Sequence, residues 1–266
     1  MKLRLLGSIE VFDGDEGLEE PSGLALDPAT KMLWTVSDDT ERAFSLGGSG
    51  AVERSRSLRV RATDLEGITA LPAGALAAVR EEGNEIMIIA AEDGRILGRH
   101  PLSEMNGYDA VRDDFEDGPE GKGLEGITVD PATGALFVVK EDAPRLLLEV
   151  SPDLESITAV HCLTRDIGFR ADGVSDEDLD VSGIAYDPRR RRFWIVSDTG
   201  RRVFLYDAAA RSAEGIELVV QDDGELKSVK NAEGVTLNAD GTILFVITDD
   251  GKKSLLVAYE IQPTDK

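Results

Sequence analysis

The chain is expected to fold as an all-β β-propeller of five blades. Three observations lead there. One stretch of about 16 residues recurs five times. Each recurrence breaks into strand-length runs of about five to six residues, too short for a typical helix. One spare strand lies before the first repeat, while the last repeat falls one strand short.

The recurrences read SGLALDPATKMLWTVSDD from Ser22, EGITALPAGALAAVREE from Glu66 and EGITVDPATGALFVVKED from Glu125. SGIAYDPRRRRFWIVSDT follows from Ser182 and EGVTLNADGTILFVITDD from Glu233. Gly23, Gly67, Gly126, Gly183 and Gly234 anchor them at spacings of 44, 59, 57 and 51 residues. A fixed motif at a variable period suits four-stranded blades with unequal loops, not a tightly stacked solenoid. Within a repeat, an alternating run ends at a turn (Asp130-Pro131 in the third). A buried run rich in β-branched residues then ends at an acid. Eleven residues after the glycine stand Trp34, Phe137, Trp194 and Phe245, with Ala77 in the shortened second repeat. Both tryptophans therefore fall on one position, read as blade core.

Leu3 to Phe12 is the spare strand, and Ser254 to Ile261 ends the last repeat. Pairing them closes the ring and removes two exposed edges. Blade one adds FSLG and the Val52 to Val60 segment. Blade two adds EIMIIA and RILGRHPL, blade three Ile157 to Leu163, and blade four VFLYD and GIELVV. Long acidic links follow at Ser103 to Lys122 and Arg165 to Asp180, with a third link at Asp222 to Ala232. A diverged sixth blade in either of the first two links is the alternative. The whole of 1–266 is read as one propeller domain.

The net charge of −23 (29 basic against 52 acidic residues) excludes affinity for nucleic acid or an anionic membrane built on basic contacts. The single cysteine, Cys162, allows no intrachain disulfide and is read as a buried small hydrophobe. The start of the chain alternates like a strand, with no visible signal peptide and no membrane span. This predicts a cytoplasmic protein, or a periplasmic or extracellular one if a leader has been removed.

In a propeller the first strand of each blade lines the channel. Loops before the first strand and after the second share one face. Glu66, Glu125 and Glu233 open first strands, and Asp38, Glu81, Glu141, Asp198 and Asp249 end second strands. Up to eight carboxylates thus crowd one rim. They must take up protons, bind a cation, or pair with Arg80, Lys140 and nearby amides. An all-oxygen donor set selects a hard cation, and calcium over magnesium for its flexible geometry. No calcium-loop motif is present, so the ligands would have to be assembled across blades. The Arg189 to Arg192 turn lies on the other face and is read as solvated.

Catalytic signals are sparse. His100 and His161 fall in or beside outer strands, and no nucleophile elbow, zinc cluster, P-loop or dinucleotide fingerprint is present.

The motifs Leu124-Glu125-Gly126-Ile127, Val139 to Pro144, Ser182-Gly183 and Val196-Ser197-Asp198 resemble the SdiA-regulated (YjiK-like) family of bacterial β-propellers. That family is related to phytase-like and NHL-like propellers. The resemblance runs from Pro21 to about Ile261 and implies a calcium-binding channel mouth in proteins often exported or membrane-anchored. Its relatives include phosphoesterases and lactonases. The leading expectation is a calcium-binding module with a small-molecule or protein ligand on the acidic rim. A metal-dependent hydrolase of phosphoesters or lactones using the same carboxylates is the alternative. A metal-free interaction domain is the third reading. A phosphate substrate would need basic groups, and only Arg80, Lys122, Lys140, Arg165 and Arg170 are near.

Overall fold

A computed structural model describes residues 1–47, 50–72, 74–116 and 123–264. The first strand, β1 (Lys2–Glu10), precedes blade one, which holds β2 (Pro21–Leu26), β3 (Leu33–Ser37), β4 (Arg42–Leu46) and β5 (Leu58–Arg59). Blade two is β6 (Leu65–Leu71), β7 (Ala75–Arg80), β8 (Glu85–Ala90) and β9 (Ile96–Pro101). Blade three is β10 (Leu124–Val129), β11 (Leu136–Lys140), β12 (Leu146–Val150) and β13 (Ile157–Cys162). Blade four is β14 (Ile184–Asp187), β15 (Arg192–Ser197), β16 (Arg202–Asp207) and β17 (Ser212–Glu217). A hairpin of β18 (Val219–Asp222) and β19 (Glu225–Ser228) leads to blade five, made of β20 (Ala232–Leu237), β21 (Ile243–Thr248) and β22 (Leu255–Gln262). All five blades are antiparallel and four-stranded, and β1 completes the fifth by pairing with β22, from Lys2 opposite Gln262 to Glu10 opposite Leu255. Both ends of the chain thus meet in one sheet, as expected.

Glycine sets how tightly the ring closes. A methyl group on Gly23 would lie 2.7 Å from Gly67 Cα, and one on Gly67 would lie 2.8 Å from Gly126 Cα. One on Gly126 would reach Ser182 O at 2.9 Å, and one on Gly183 would lie 3.0 Å from Gly234 Cα. One on Gly234 would meet Ser22 O at 2.7 Å, closing the circle. None of the five has left-handed φ, so glycine is needed for close approach rather than for backbone freedom. The collar pinches the channel and separates its two mouths.

Three elements differ from the sequence reading. The outer strand of blade one keeps only Leu58–Arg59, because Arg56 and Ser57 N–H groups turn back onto Glu53 O. The GIELVV run is split at Leu218, which is fully buried between blades four and five, and the third link contains the β18–β19 hairpin. The two long links hold no sixth blade among the described residues. The first forms 3-10 turns at Leu102–Glu104 and Tyr108–Ala110 and a short helix, α1 (Arg112–Glu116), with Met105, Tyr108 and Val111 packed on the core of blades two and three. Asp117, Glu120 and Lys122 lie outside the described residues. The second link contains one 3-10 turn, Arg165–Ile167.

The repeated apolar position is core: Trp34, Phe137, Trp194 and Ala77 are buried, and Phe245 is half-buried. The two indoles differ in their partners. Trp194 Nε1 donates to Asp187 Oδ2 at 3.3 Å. In blade one the corresponding Asp27 accepts from Thr30 Oγ1 and Ala29 N–H, and Trp34 Nε1 has no acceptor among the described residues. Replacing either tryptophan by phenylalanine removes the same volume. Trp194→Phe is expected to cost about 1–2 kcal/mol more than Trp34→Phe in urea unfolding, because only it deprives a buried carboxylate of a donor.

Two further expectations are corrected. The Arg189 to Arg192 turn is not simply solvated. It wraps the fully buried Asp187, which accepts Arg190 Nη1 at 2.6 Å and the N–H groups of Arg189 and Arg190 at 3.1 Å each. Arg190 also reaches Gly241 O at 2.9 Å and Arg189 reaches Asp240 O, fastening blade four to blade five. A buried carboxylate requires this much compensation. Cys162 is exposed, because alternation along β13 turns it outward. No helix among the described residues is long and apolar enough to cross a membrane.

Candidate functional site

The first strands do not run straight into the channel mouth. In β6, Leu65 pairs with Arg80 and Gly67 with Val79, which leaves Glu66 as the extra residue of a β-bulge. Glu125 is bulged between Leu124 and Gly126, and Glu233 between Ala232 and Gly234, in the same way. A bulge bends the strand and re-aims its side chain. The repeated Glu-Gly pair therefore does two jobs: glycine brings the backbones together, and the bulged glutamate is left unpaired at the mouth.

The eight expected carboxylates are all half-buried, but they do not form one ring. Glu81, Glu125 and Glu141 have carboxylate oxygens within 4.8 Å of one another, and Asp64, Glu66 and Glu81 form an overlapping group on the same scale. Glu81 belongs to both. Asp38 joins a separate group with Glu20 and Asp39. Glu233, Asp198 and Asp249 belong to none of these groups. Asp198 accepts Asn231 N–H and Asp249 accepts Gly251 N–H at 3.4 Å. The two groups that share Glu81 draw on blades two and three alone.

Asp64, Glu20 and Asp39 were not anticipated. The signal for two of them was present. Asp64 stands two residues before Glu66 and Glu20 two before Ser22, each an acid at the same short distance ahead of a repeated motif. Asp180 has the same place before Ser182, but it is buried and accepts Ser197 Oγ at 2.6 Å and the Thr199 N–H at 3.1 Å.

Crowding and burial resist ionisation. Glu66 is pushed up to about 8 by burial and then by Asp38, Glu81 and Asp64, with a hydrogen bond from Ser22 opposing. Glu233 also rises to about 8, through burial and the charges of Asp198, Asp180 and Asp249. Glu125 is held well above the ordinary range by burial and by Glu66, Glu141, Glu81 and Glu233. Glu20 rises to about 7 through its hydrogen bond with Asp39 and then burial. Asp38, Asp64, Asp198 and Asp249 are raised chiefly by burial.

Basic groups do less here than the sequence suggested. Arg80 bonds Thr63 O at 3.2 Å, Glu85 Oε1 at 3.2 Å and Glu82, turning along the blade. Lys140 is fully buried and donates to Asp142 O at 3.0 Å, and burial lowers its pKa. Backbone amides contribute: Gly123 N–H donates to Glu81 Oε1 at 2.7 Å. Arg165 and Arg170 are exposed on the second link. His161 contacts the Tyr206 hydroxyl at 3.3 Å on an outer strand, away from the mouth.

Five blades, a glycine collar and bulged glutamates at one end define a five-bladed β-propeller with an acidic channel mouth. The chain belongs to the SdiA-regulated family, whose model matches residues 14–249. Its fold is also similar to the crystal structure of the glutaminyl cyclase of Myxococcus xanthus. The TM-score is 0.64 over 98% of this chain and 97% of that one, and sequence identity is 10%, so the likeness is one of fold alone.

Proposed function

We propose that the acidic mouth binds calcium, and that the chain is a binding or scaffold module whose small-molecule or protein ligand docks on that face. The observation that carries this reading is the pair of overlapping groups Asp64–Glu66–Glu81 and Glu81–Glu125–Glu141, with oxygens within 4.8 Å in each. The donors are all oxygen, come from bulges and strand ends held by the ring, and suit a hard cation of flexible coordination. A bound cation supplies positive charge on which an acidic or carbonyl group of a ligand can settle.

Hydrolysis of phosphoesters or lactones at the same carboxylates is the weaker reading. Of the basic groups that would face a phosphate, Arg80 is engaged by Glu82 and Glu85, and Lys140 is buried against Asp142 O.

The test is metal content after equilibration with calcium and exhaustive desalting. Wild type is expected to retain at least one equivalent, and Glu125→Gln to lose it. In EDTA, Glu125→Gln should melt no lower than wild type, since the amide matches the uncharged form that burial and the neighbouring carboxylates already favour. Calcium-free wild type with an unmoved melting temperature would defeat the reading.

A further inference from the structure

The collar gives the channel a second, separate mouth. It is walled by the far halves of the five inner strands, through residues such as Leu26, Ala70, Val129, Tyr186 and Leu237. Pro28, Pro131 and Pro188 stiffen its rim. The chemistry inverts that of the other mouth. The hydroxyls of Thr128 and Thr236 are spent on the neighbouring strand, accepting Tyr186 N–H at 3.0 Å and Leu26 N–H at 3.2 Å. The carboxylate that lines it, Asp187, is fully buried and saturated by Arg190, Trp194 and two backbone N–H groups. Asp27 and Asp130, beside the rim prolines, are turned onto their own loops, where each accepts a backbone N–H and a threonine hydroxyl. Arg189 stands exposed on the rim, with one terminal nitrogen on Asp240 O. A guanidinium has five N–H donors in a fixed fork, so donors remain for a carboxylate.

We propose that this mouth is a second binding site, for a small monocarboxylic acid with an apolar body. The body fills the aliphatic funnel and the carboxylate meets Arg189. A concave, mostly apolar, preformed pocket with one or two placed polar groups is how small molecules are held. The cavity of about 210 Å³ is smaller than the about 300–1,000 Å³ of drug-sized sites, which limits the ligand to a short chain or a single ring. The site is independent of the acidic mouth, because the glycine collar lies between them.

Octanoate is the probe, titrated calorimetrically into the full chain. Saturable binding at one equivalent, with Kd below about 1 mM, is expected. Arg189→Gln should weaken it at least about tenfold, with partial recovery in Arg189→Lys. Ala70→Asp, which places a carboxylate in the funnel, should abolish it. Glu125→Gln, across the collar, should leave it unchanged. Arg189 is a surface residue, so its variants test the site even if Ala70→Asp does not fold. No saturable binding at millimolar octanoate would overturn the proposal. So would equal binding of 1-octanol, full affinity in Arg189→Gln, or loss of affinity in Glu125→Gln.

Discussion

Gly67→Ala is expected to cost about 3 kcal/mol or more and to leave little folded protein at physiological temperature. Its methyl group would lie 2.7 Å from Glu125 O and 2.8 Å from Gly126 Cα, both backbone atoms of the next blade. A flexible side chain could swing away. Backbone in a closed ring cannot, because moving blade three pushes it against blade four, where Gly126 is already packed on Ser182 O. Overpacking in an ordinary core costs about 1–3 kcal/mol, and the ring removes the relaxation that keeps the figure there. The comparison is Gly224→Ala at the tip of the β18–β19 hairpin. Gly224 has φ +83° and nothing within 4 Å of a methyl group. Its cost is that of left-handed backbone alone, about 1–2 kcal/mol. Urea unfolding of both variants checks this. Equal losses would show that the five blades do not press on one another at the collar.

The second large effect is a pH dependence opposite to that of most acidic proteins. Glu66 and Glu233 titrate near 8 in the folded chain, against an ordinary 4.5 when unfolded. Between those values the folded state holds protons that the unfolded state has released. Stability therefore falls as pH rises from about 4.5 to about 8, and the loss is complete above that. Glu125 and the four raised aspartates act in the same direction. In EDTA the melting temperature should drop by about 10 °C between pH 5 and pH 8.5, taking about 2–4 °C per kcal/mol. Calcium binds the ionised folded form and should flatten this slope, so its effect on melting is small at pH 5 and large at pH 8.5. A melting temperature that rises with pH in EDTA would mean that the mouth carboxylates are stably ionised without a cation.

Blade number and ring closure were legible because they depend on local pattern. Gly23, Gly67, Gly126, Gly183 and Gly234 recur in fixed relation to a turn and a buried strand. β1 had no partner but β22. The glutamates of the mouth were legible as a set, since each stands beside one of those glycines. Their grouping was not. Sequence position treats Glu66, Glu125 and Glu233 as equivalent, but what surrounds each depends on the neighbouring blade. Glu66 meets Asp64 and Glu81, while Glu233 faces Asp198 and Asp249 already held by amides. Asp64 and Glu20 stand just before β6 and β2, outside the strands, so their approach to the mouth depends on the loops that lead into those strands.

The arginine turn shows the same limit. Four consecutive arginines look like a solvated surface, since nothing local reveals that Asp187 is buried beneath them or that Asp240 and Gly241 of the next blade supply acceptors. Likewise the split of GIELVV at Leu218 follows from a pocket between two blades that strand periodicity does not encode.

Local pattern dictates the number of blades, the strand that locks the ring, and the end of the channel that carries the acids. These follow from hydrogen-bonding period and steric need, which act over a few residues. Which carboxylates meet, where the bulges aim them, and the contrast between the channel's two mouths arise from the packing of blade on blade. Those depend on distances between blades, and the backbone contact permitted by five glycines sets them.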